Sequence, residues 1–290
     1  MKTKSVSGTV FNMINYTLLI LLTLVTIYPV LYVLFASLSK STDLLSHDGL
    51  LLYPLSFQLK GYEMVFKHPL ILRSYWNTLC IVGSSLALNM ILTAIAAYVL
   101  SRKSLKYRGA LMVFIVFTMY FSGGLIPNYL NIKGFGLANT IWAIVLPGAI
   151  STFNLIIMKN YFESIPENLE ESAKIDGANE FIIMFKIILP LSKSILAVVA
   201  LYYAVSHWNA WFNAMIFLQD RDKFPLQLIL REILLIGDSS NAIGDVADAS
   251  ELRETLKYAT IIVATVPILC VYPFLQKYFV KGTLVGAVKG

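Results

Sequence analysis

Long apolar stretches recur along the chain, and their length restricts what it can fold into. They lie at 15–38, 77–100, 109–130, 139–161, 191–218 and 257–280. Each has about 20 residues or more, which an α-helix needs to cross a hydrocarbon layer about 30 Å thick. Charged residues make up only 14% of the chain, against about 25% in a typical soluble domain, so too little polar surface remains to enclose a soluble core. The sequence therefore predicts an all-α, multi-pass membrane protein with about six transmembrane helices.

Basic residues in the short connections predict the orientation of these helices. The segment 101–108 has four basic residues in eight positions, whereas the connection at 128–140 contains only Lys133. Lys and Arg concentrate in the cytoplasmic loops of membrane proteins. We therefore expect both termini on the cytoplasmic side of the bacterial plasma (inner) membrane, together with the segments 101–108 and 162–190. The net charge of +6 follows from this placement and gives no reason to expect nucleic acid as a partner.

Two segments on the opposite side are too long to be simple turns. The first, residues 39–76, includes an amphipathic stretch at 61–67, and the second, residues 219–256, is polar and acidic. Each can be a solvated loop or a docking surface for an external partner, and the sequence leaves both readings open. We expect a cytoplasmic N-terminus, a first span with its outer loop, a core transmembrane domain and a cytoplasmic tail, at residues 1–14, 15–76, 77–280 and 281–290.

The segment 162–190, named here the cytoplasmic lobe, is much longer than the few residues that reverse a chain between two helices. Residues 164–167 have the Ser-x-x-Glu spacing of a capping box, which predicts a short helix over 166–176. Gly177 then occupies the position where a left-handed residue ends a helix. A second helix is expected over 179–188. The lobe is thus predicted to be an ordered helix–turn–helix and not a loose connection.

Acidic side chains dominate the predicted surface of the lobe. They are Glu167, Glu170, Glu171, Asp176 and Glu180. An ordered acidic surface favours a cytoplasmic protein partner with a basic groove. A helix lying on the bilayer is the alternative, but anionic lipid would repel these carboxylates.

A spaced motif in the lobe resembles the EAA loop of ABC importer permeases, whose pattern is E-A-A-x3-G-x9-I-x-L-P. The matching residues are Glu171-Ser172-Ala173, then Gly177, then Ile187-Ile188-Leu189-Pro190. The spacing agrees at every step, and the one departure is Ser172 in place of the middle alanine. The resemblance implies the type I ABC importer permease fold.

In that family the first helix of the loop inserts into a cleft of the ATPase subunit. The resemblance implies that Glu171 pairs with basic groups of the cleft. It implies that the two small residues after Glu171 keep the helix thin enough to enter. It further implies that Asp176 and Gly177 form the turn, and that Leu189 and Pro190 anchor the lobe to the fifth span.

Residues 159–166 and the closing residues 276–290 resemble maltose-type carbohydrate permeases, above all those for uronate or rhamnogalacturonan fragments. The implied partners are a second homologous permease subunit, two ATPase subunits and an extracytoplasmic solute-binding protein. Nothing in the chain resembles G-x-x-x-x-G-K-[ST], so we expect ATP hydrolysis in another chain. We expect a transport subunit and not an enzyme, with no cofactor and no metal.

The fifth span has the most polar side chains. Tyr202, Ser206, Asn209 and Asn213 recur at helical spacing and would share one face of a helix. Such a stripe either lines a path for solute or bonds helices together, and both readings stay open. In the first reading the amides would bind sugar hydroxyls, and Trp208 and Trp211 would stack on sugar rings.

Three other functions compete with the import of oligosaccharides. An importer for peptides or small osmolytes would share the lobe but not the sugar-type tail. An ion-coupled secondary carrier would need intramembrane carboxylates, and the predicted spans contain no clear one. A membrane-embedded enzyme would need a cluster of reactive side chains, whereas His207 stands alone and is expected to be a packed, hydrogen-bonded histidine. Gly123, Gly124 and Pro127 in the third span are expected to serve packing.

Overall fold

The computed structural model describes residues 6–239 and 256–270 together with Pro273, and these residues form helices and no strands. The first three helices are α1 (Val6–Ser37), α2 (Ser41–Leu45) and α3 (Lys60–Lys67). The next five are α4 (Ile71–Ser101), α5 (Arg108–Tyr120), α6 (Leu125–Gly134), α7 (Trp142–Val145) and α8 (Thr152–Glu163). The cytoplasmic lobe contains α9 (Asn168–Ile175) and α10 (Glu180–Leu191). The remaining helices are α11 (Lys193–Trp208), α12 (Phe212–Phe217), α13 (Leu226–Ser239) and α14 (Leu256–Cys270).

Two of these helices are long and apolar enough to cross a membrane alone, and they cover the first two predicted spans except for Leu38. They are Val10–Ser37 within α1 and the whole of α4. Two further spans arise if each bent pair, α5 with α6 and α10 with α11, is counted as one. The shorter apolar helix α14 overlaps the sixth predicted span, and apart from Pro273 that span lies outside the described residues after position 270.

The third predicted span is not continuous, which corrects the expectation of one helix over 109–130. α5 ends at Tyr120, and α6 leaves at an angle of 108° to it. Gly124 between them has φ +88°, a left-handed conformation that glycine adopts at little cost because it has no Cβ. The glycines therefore set a sharp bend here and do not merely assist packing.

The fourth and fifth predicted spans are broken as well. Between α7 and α8 the chain passes through Pro147 and Gly148 without helical structure. α11 ends at Trp208, and the Asn209 side chain donates a hydrogen bond back to the Val205 carbonyl oxygen (3.0 Å). Only then does α12 begin, so the chain over 191–218 is two helices and not one.

The described residues divide into two compact units, and the first comprises residues 6–69 with 230–239 and 256–266. In this unit the outer segment after α1 is ordered. Ser37 and Tyr62 share a hydrogen bond between their hydroxyls (2.7 Å), and the Gln58 N–H donates to the Leu38 carbonyl oxygen (2.9 Å). Most apolar side chains of α1 are exposed, as expected of a helix that faces lipid.

The second unit comprises residues 70–229 with 267–270 and Pro273, and its core lies around the C-terminal half of α4. Ala97 and Tyr98 of α4 are buried there with Met158 and Phe162 of α8. Ile183 of the cytoplasmic lobe belongs to the same cluster and is fully buried. The lobe is therefore packed onto the helices and does not extend away from them.

One face of α4 is lined by small polar side chains that are buried, namely Ser74, Thr78, Ser85, Asn89 and Thr93. Small residues let neighbouring helices approach closely, and hydroxyl and amide groups can bond across the contact. α8 and α11 pack against α4. α4 is thus the central helix of this unit.

Candidate functional site

The turn between the two helices of the cytoplasmic lobe has the geometry that the sequence predicts. Gly177 has φ +81° and follows the last helical residues of α9. The Gly177 N–H donates to the Lys174 carbonyl oxygen (3.0 Å), and the Ala178 N–H donates to that of Ala173 (2.9 Å). These two bonds define a Schellman motif. The predicted turn at Asp176 and Gly177 is therefore confirmed.

The second helix of the lobe is longer than predicted. Asn179 caps it, and its side-chain oxygen accepts a hydrogen bond from the Ile182 N–H (2.9 Å). The helix continues through Leu189 and Pro190 to Leu191, and α11 then leaves at 82°. A proline inside a helix removes one backbone hydrogen bond and crowds the preceding turn. The wider π turn at Met184–Ile188 ends two residues before this proline and includes the turn that the proline crowds.

The predicted capping box is wrong. The Ser164 hydroxyl donates to the Tyr161 carbonyl oxygen (2.7 Å), so Ser164 closes α8 and does not open α9. Glu167 makes no capping bond and instead forms an ion pair with Lys103 (2.9 Å). The reason is that Ser164 directly follows α8 with helical backbone angles, so its side chain bonds to the turn behind it.

Ion pairs attach the lobe to the basic segment 101–108. Arg102 pairs with Glu170, and these side chains are only 15% and 10% exposed. Arg108 pairs with Glu163, which also binds Lys159 (2.8 Å). The expectation that Glu170 would face a basic partner is therefore wrong, because its charge is already matched within the chain. The basic residues at 101–108 do more than set the orientation.

The other end of the lobe is attached to α4 through Glu180. The Tyr98 hydroxyl donates to one Glu180 oxygen (2.5 Å), and Lys174 pairs with the other (2.8 Å). The hydrogen bond from Lys174, followed by that from Tyr98, holds the pKa of Glu180 below its usual range. The Arg102 guanidinium also lies 4.6 Å above the Tyr98 ring. Both lobe helices are thus bonded to the same end of α4.

Glu171 and Asp176 remain exposed and make no ion pair among the described residues. Exposed apolar side chains lie near them in sequence, since Ile175 is 86% and Phe181 75% exposed. Neither side chain belongs to the core cluster of this unit. This surface, Glu171 and 175–181, is named here the lobe tip.

The remaining lobe residues of the motif differ in how far they are buried. Ser172 is exposed, whereas Ala173 packs against the core of the unit. Leu189 packs against the same core near the bend, and Pro190 is exposed there. The space between the lobe and segment 101–108 is a cleft of about 470 Å³.

The structure brings together only part of the predicted polar stripe in the fifth span. Tyr202, Ser206 and Asn213 line one cavity of about 390 Å³. Phe153 lines it too, and its ring lies 6.2 Å from that of Tyr202. Hydroxyls, an amide and aromatic rings around one space can bind a polyhydroxylated solute.

The other three residues of the fifth span lie elsewhere. Asn209 caps α11, Trp208 is buried and packs against the Tyr75 ring (6.3 Å), and Trp211 packs edge-on against Phe212 (5.6 Å). The helical spacing fails as a guide here because α11 ends within the stripe.

A larger cavity of about 980 Å³ lies between α6 and α12 and was not anticipated from the sequence. Asn128, Asn131 and Asn213 line it together with Phe135 and Phe212. Asn128 and Asn131 are three residues apart, so a helix places them on one face. That spacing was the available signal, but it became informative only once the bend at Gly124 was known.

Buried polar groups join α4 to α11 beside these cavities. The Asn89 amide lies 2.8 Å from His207 Nε2, and its oxygen can accept from that nitrogen while its own nitrogen donates to the Ser85 carbonyl oxygen. The Thr93 and Tyr203 hydroxyls share a bond of 2.7 Å. His207 is thus hydrogen-bonded and packed, as expected. These contacts bond the helices together.

The chain matches a known protein family, and it aligns over nearly its whole length with two relatives. Residues 89–285 match the family described as binding-protein-dependent transport system inner membrane component. The chain is 43% identical over 284 residues to the polygalacturonan/rhamnogalacturonan transport system permease protein YtcP of Bacillus subtilis, covering 97% of this chain and 98% of that one. It is 42% identical over 285 residues to protein LplC of Bacillus subtilis, covering 98% and 96%.

A solved structure shares the fold. It is a crystal structure of a bacterial ABC transporter involved in the import of the acidic polysaccharide alginate. The TM-score is 0.84 at 33% identity, and the match covers 96% of this chain and 100% of that chain.

Proposed function

The chain belongs to the family of binding-protein-dependent transport system inner membrane components, and from this premise we propose that it is a permease subunit of an ATP-driven importer for acidic oligosaccharides. It is a transport component of the inner membrane and not a catalytic enzyme. The acidic class of solute is proposed because one relative is named for polygalacturonan and rhamnogalacturonan and a structural neighbour imports alginate.

The observation that carries this proposal is the construction of the cytoplasmic lobe. Ion pairs to segment 101–108 neutralise Glu170 and Glu167. Glu171 and Ile175 at the tip remain exposed. A loop that served only to reverse the chain would need neither feature. The lobe tip therefore fits the groove of a partner, and we assign that partner to one of the two ATPase subunits of the importer.

The roles of the motif residues follow from where they lie. Glu171 offers an unpaired carboxylate to basic groups of the ATPase, and the exposed Ser172 beside it adds little bulk. Asp176 and Gly177 fix the turn that presents the tip. Leu189 and Pro190 lie at the bend into α11, and the half-buried Ala173 holds α9 against the helices.

The mechanism that we propose is alternating access. ATP closes the two ATPase subunits, and the lobe moves with the subunit that binds it. This movement swings the helices of this chain and of a second homologous permease between inward-open and outward-open arrangements. An extracytoplasmic solute-binding protein delivers the oligosaccharide, and residues 219–256 help to release it. Residues 240–255 of that segment, and the tail 281–290, lie outside the described residues.

The proposed solute path follows the two cavities beside α12. Tyr202 and Ser206 line the smaller one, Asn128 and Asn131 the larger one, and Asn213 lines both. Their hydroxyl and amide groups can bond sugar hydroxyls, and Phe153 can stack on a sugar ring. Asn209, Trp208 and Trp211 support helix packing in this arrangement.

The proposal is tested on the complex purified from its host through a tag on this chain. The Glu171→Ala variant should insert normally but lose the stimulation of ATP hydrolysis and the uptake of oligogalacturonides in proteoliposomes. Glu167→Gln is the matched control, because this residue lies in the same lobe but pairs with Lys103. Normal stimulated ATP hydrolysis in Glu171→Ala would refute the assignment of the lobe tip.

A further inference from the structure

The inner end of α4 is bonded to both helices of the cytoplasmic lobe. Tyr98 in the last turns of α4 bonds to Glu180 at the start of α10 (2.5 Å). Arg102, the residue that caps α4, bonds to the nearly buried Glu170 of α9. The Arg102 Nε also donates to the Tyr98 carbonyl oxygen (3.3 Å). A displacement of the lobe must therefore displace this end of α4.

The outer end of α4 is bonded to the chain that follows α12. The Asn77 amide donates to the carbonyl oxygens of Asp222 (2.7 Å) and Phe224 (3.1 Å). The Leu226 N–H donates to the buried Thr78 hydroxyl (2.8 Å). The segment held in this way, residues 220–226, is where the outer segment 219–256 begins, and it is named here the outer base.

The helix between these two ends is continuous. α4 has 31 residues without a proline or a break, which corresponds to a length of about 46 Å. The other predicted spans of this unit, where the structure describes them, are each interrupted between their ends. A bent or broken span can absorb a movement at its bend, whereas an unbroken helix passes it to its far end.

We propose that α4 transmits the movement of the cytoplasmic lobe to the outer base, with Arg102 and Glu170 as positioning residues at one end and Asn77 and Thr78 at the other. This inference rests on the proposed function, since it takes the lobe to move with an ATPase. It adds a route by which nucleotide binding inside reaches the segment that faces the binding protein outside.

A matched pair of variants separates this role from general charge effects. Arg102→Glu places a carboxylate beside Glu170 in a site that is almost closed to water, and one unpaired buried charge is strongly destabilising. Lys103→Glu makes the same change of charge one residue later, in the ion pair with Glu167, whose two side chains are 77% and 54% exposed. Exposed pairs contribute little. The double variant Arg102→Glu with Glu170→Arg restores the pair in reverse.

The experiment is hydrogen–deuterium exchange on the whole complex, purified from its host through a tag on this chain, with and without MgADP and vanadate. In the wild type and in Lys103→Glu, nucleotide should change exchange at both the lobe and the outer base. In Arg102→Glu the outer base should lose its response while the lobe keeps it. The reversed pair should regain the response at the outer base.

The outcomes are distinguishable. A lobe that ignores nucleotide in the wild type would overturn the proposed function, and this inference with it. A response at the outer base that persists in Arg102→Glu would overturn the inference alone. A loss of the nucleotide response at both the lobe and the outer base would also overturn it, because the pair of Arg102 and Glu170 would then serve docking and not transmission. If Arg102→Glu does not fold, Asn77→Ala tests the other end, where loss of the response at the outer base alone is expected and an unchanged response would refute the inference.

Discussion

The free-energy cost of replacing Gly177 follows from two properties of this position, its backbone angle and the space around it. Its φ of +81° lies in the left-handed region, and a Cβ built there would meet nothing within 4 Å. The steric cost of Gly177→Ala is therefore absent, and only the conformational cost of about 1–2 kcal/mol remains. A free energy of this size changes the population of the opened turn by roughly 5–30-fold.

The side chains available for this position should rank by their tolerance of the left-handed conformation. Gly177→Asn should cost less than Gly177→Ala because Asn is enriched several-fold among the non-glycine residues found at positive φ, and Gly177→Val should cost more because its Cβ is branched. Gly83→Ala is the control. Gly83 lies within α4, where a Cβ also meets nothing within 4 Å, and alanine should stabilise the helix by about 0.5–1 kcal/mol.

Amide exchange at Gly177 and Ala178 provides the assay, because both N–H groups donate within the turn. Exchange should accelerate in the order Asn, Ala, Val, and the uptake of solute should fall in the same order. Equal exchange in all three variants would refute the claim that the backbone conformation of Gly177 holds the turn.

Further predictions concern the ion pairs and the cavities. Glu170→Gln should lower the free energy of unfolding in detergent by about 3–5 kcal/mol, because it leaves the nearly buried Arg102 charge without a balancing carboxylate. Glu167→Gln should cost about 0–1 kcal/mol, because its ion pair is exposed, and similar losses in the two variants would contradict this. Because the pKa of Glu180 is lowered, its bonds to Lys174 and Tyr98 stabilise the folded protein above pH 4.5, the ordinary pKa of this group. That stabilisation is lost as the pH falls through the lowered pKa. Protection of the lobe from exchange should therefore fall on acidification in the wild type but not in Glu180→Gln, and parallel pH profiles would be the contrary result. Asn213→Leu should raise the KM for oligogalacturonide uptake more than Asn209→Leu, and equal values would argue against the proposed path.

The sequence predicts the helical elements of this chain better than their continuity. Apolar length alone located α1 and α4, because a span of this length has no other stable structure in a bilayer. The bend at Gly124 was missed because glycine and proline are also common in straight membrane helices. Hydropathy averages over such positions, so it carries no information on where a span bends.

The same limit applies to the lobe. Gly177 was predicted correctly because a left-handed turn demands a particular residue. Which carboxylates face inward could not be read from the lobe alone, since Glu170 and Glu171 are neighbours with opposite environments. Arg102 and Lys103, two of the four basic residues of segment 101–108, were the missing half of that pattern. Their pairing with Glu170 and Glu167 becomes evident only when both segments are placed at the same end of α4.

The most direct test of the account is a photo-cross-link from the lobe tip. A benzophenone attached to Ile175→Cys, in a chain whose Cys80 and Cys270 are replaced by serine, should cross-link this chain to a co-purified subunit that binds ATP. The same group on Phe57→Cys, which is also well exposed but lies in the outer segment 39–76, should give no such product. Cross-linking to the ATP-binding subunit from Phe57 and not from Ile175 would contradict the account.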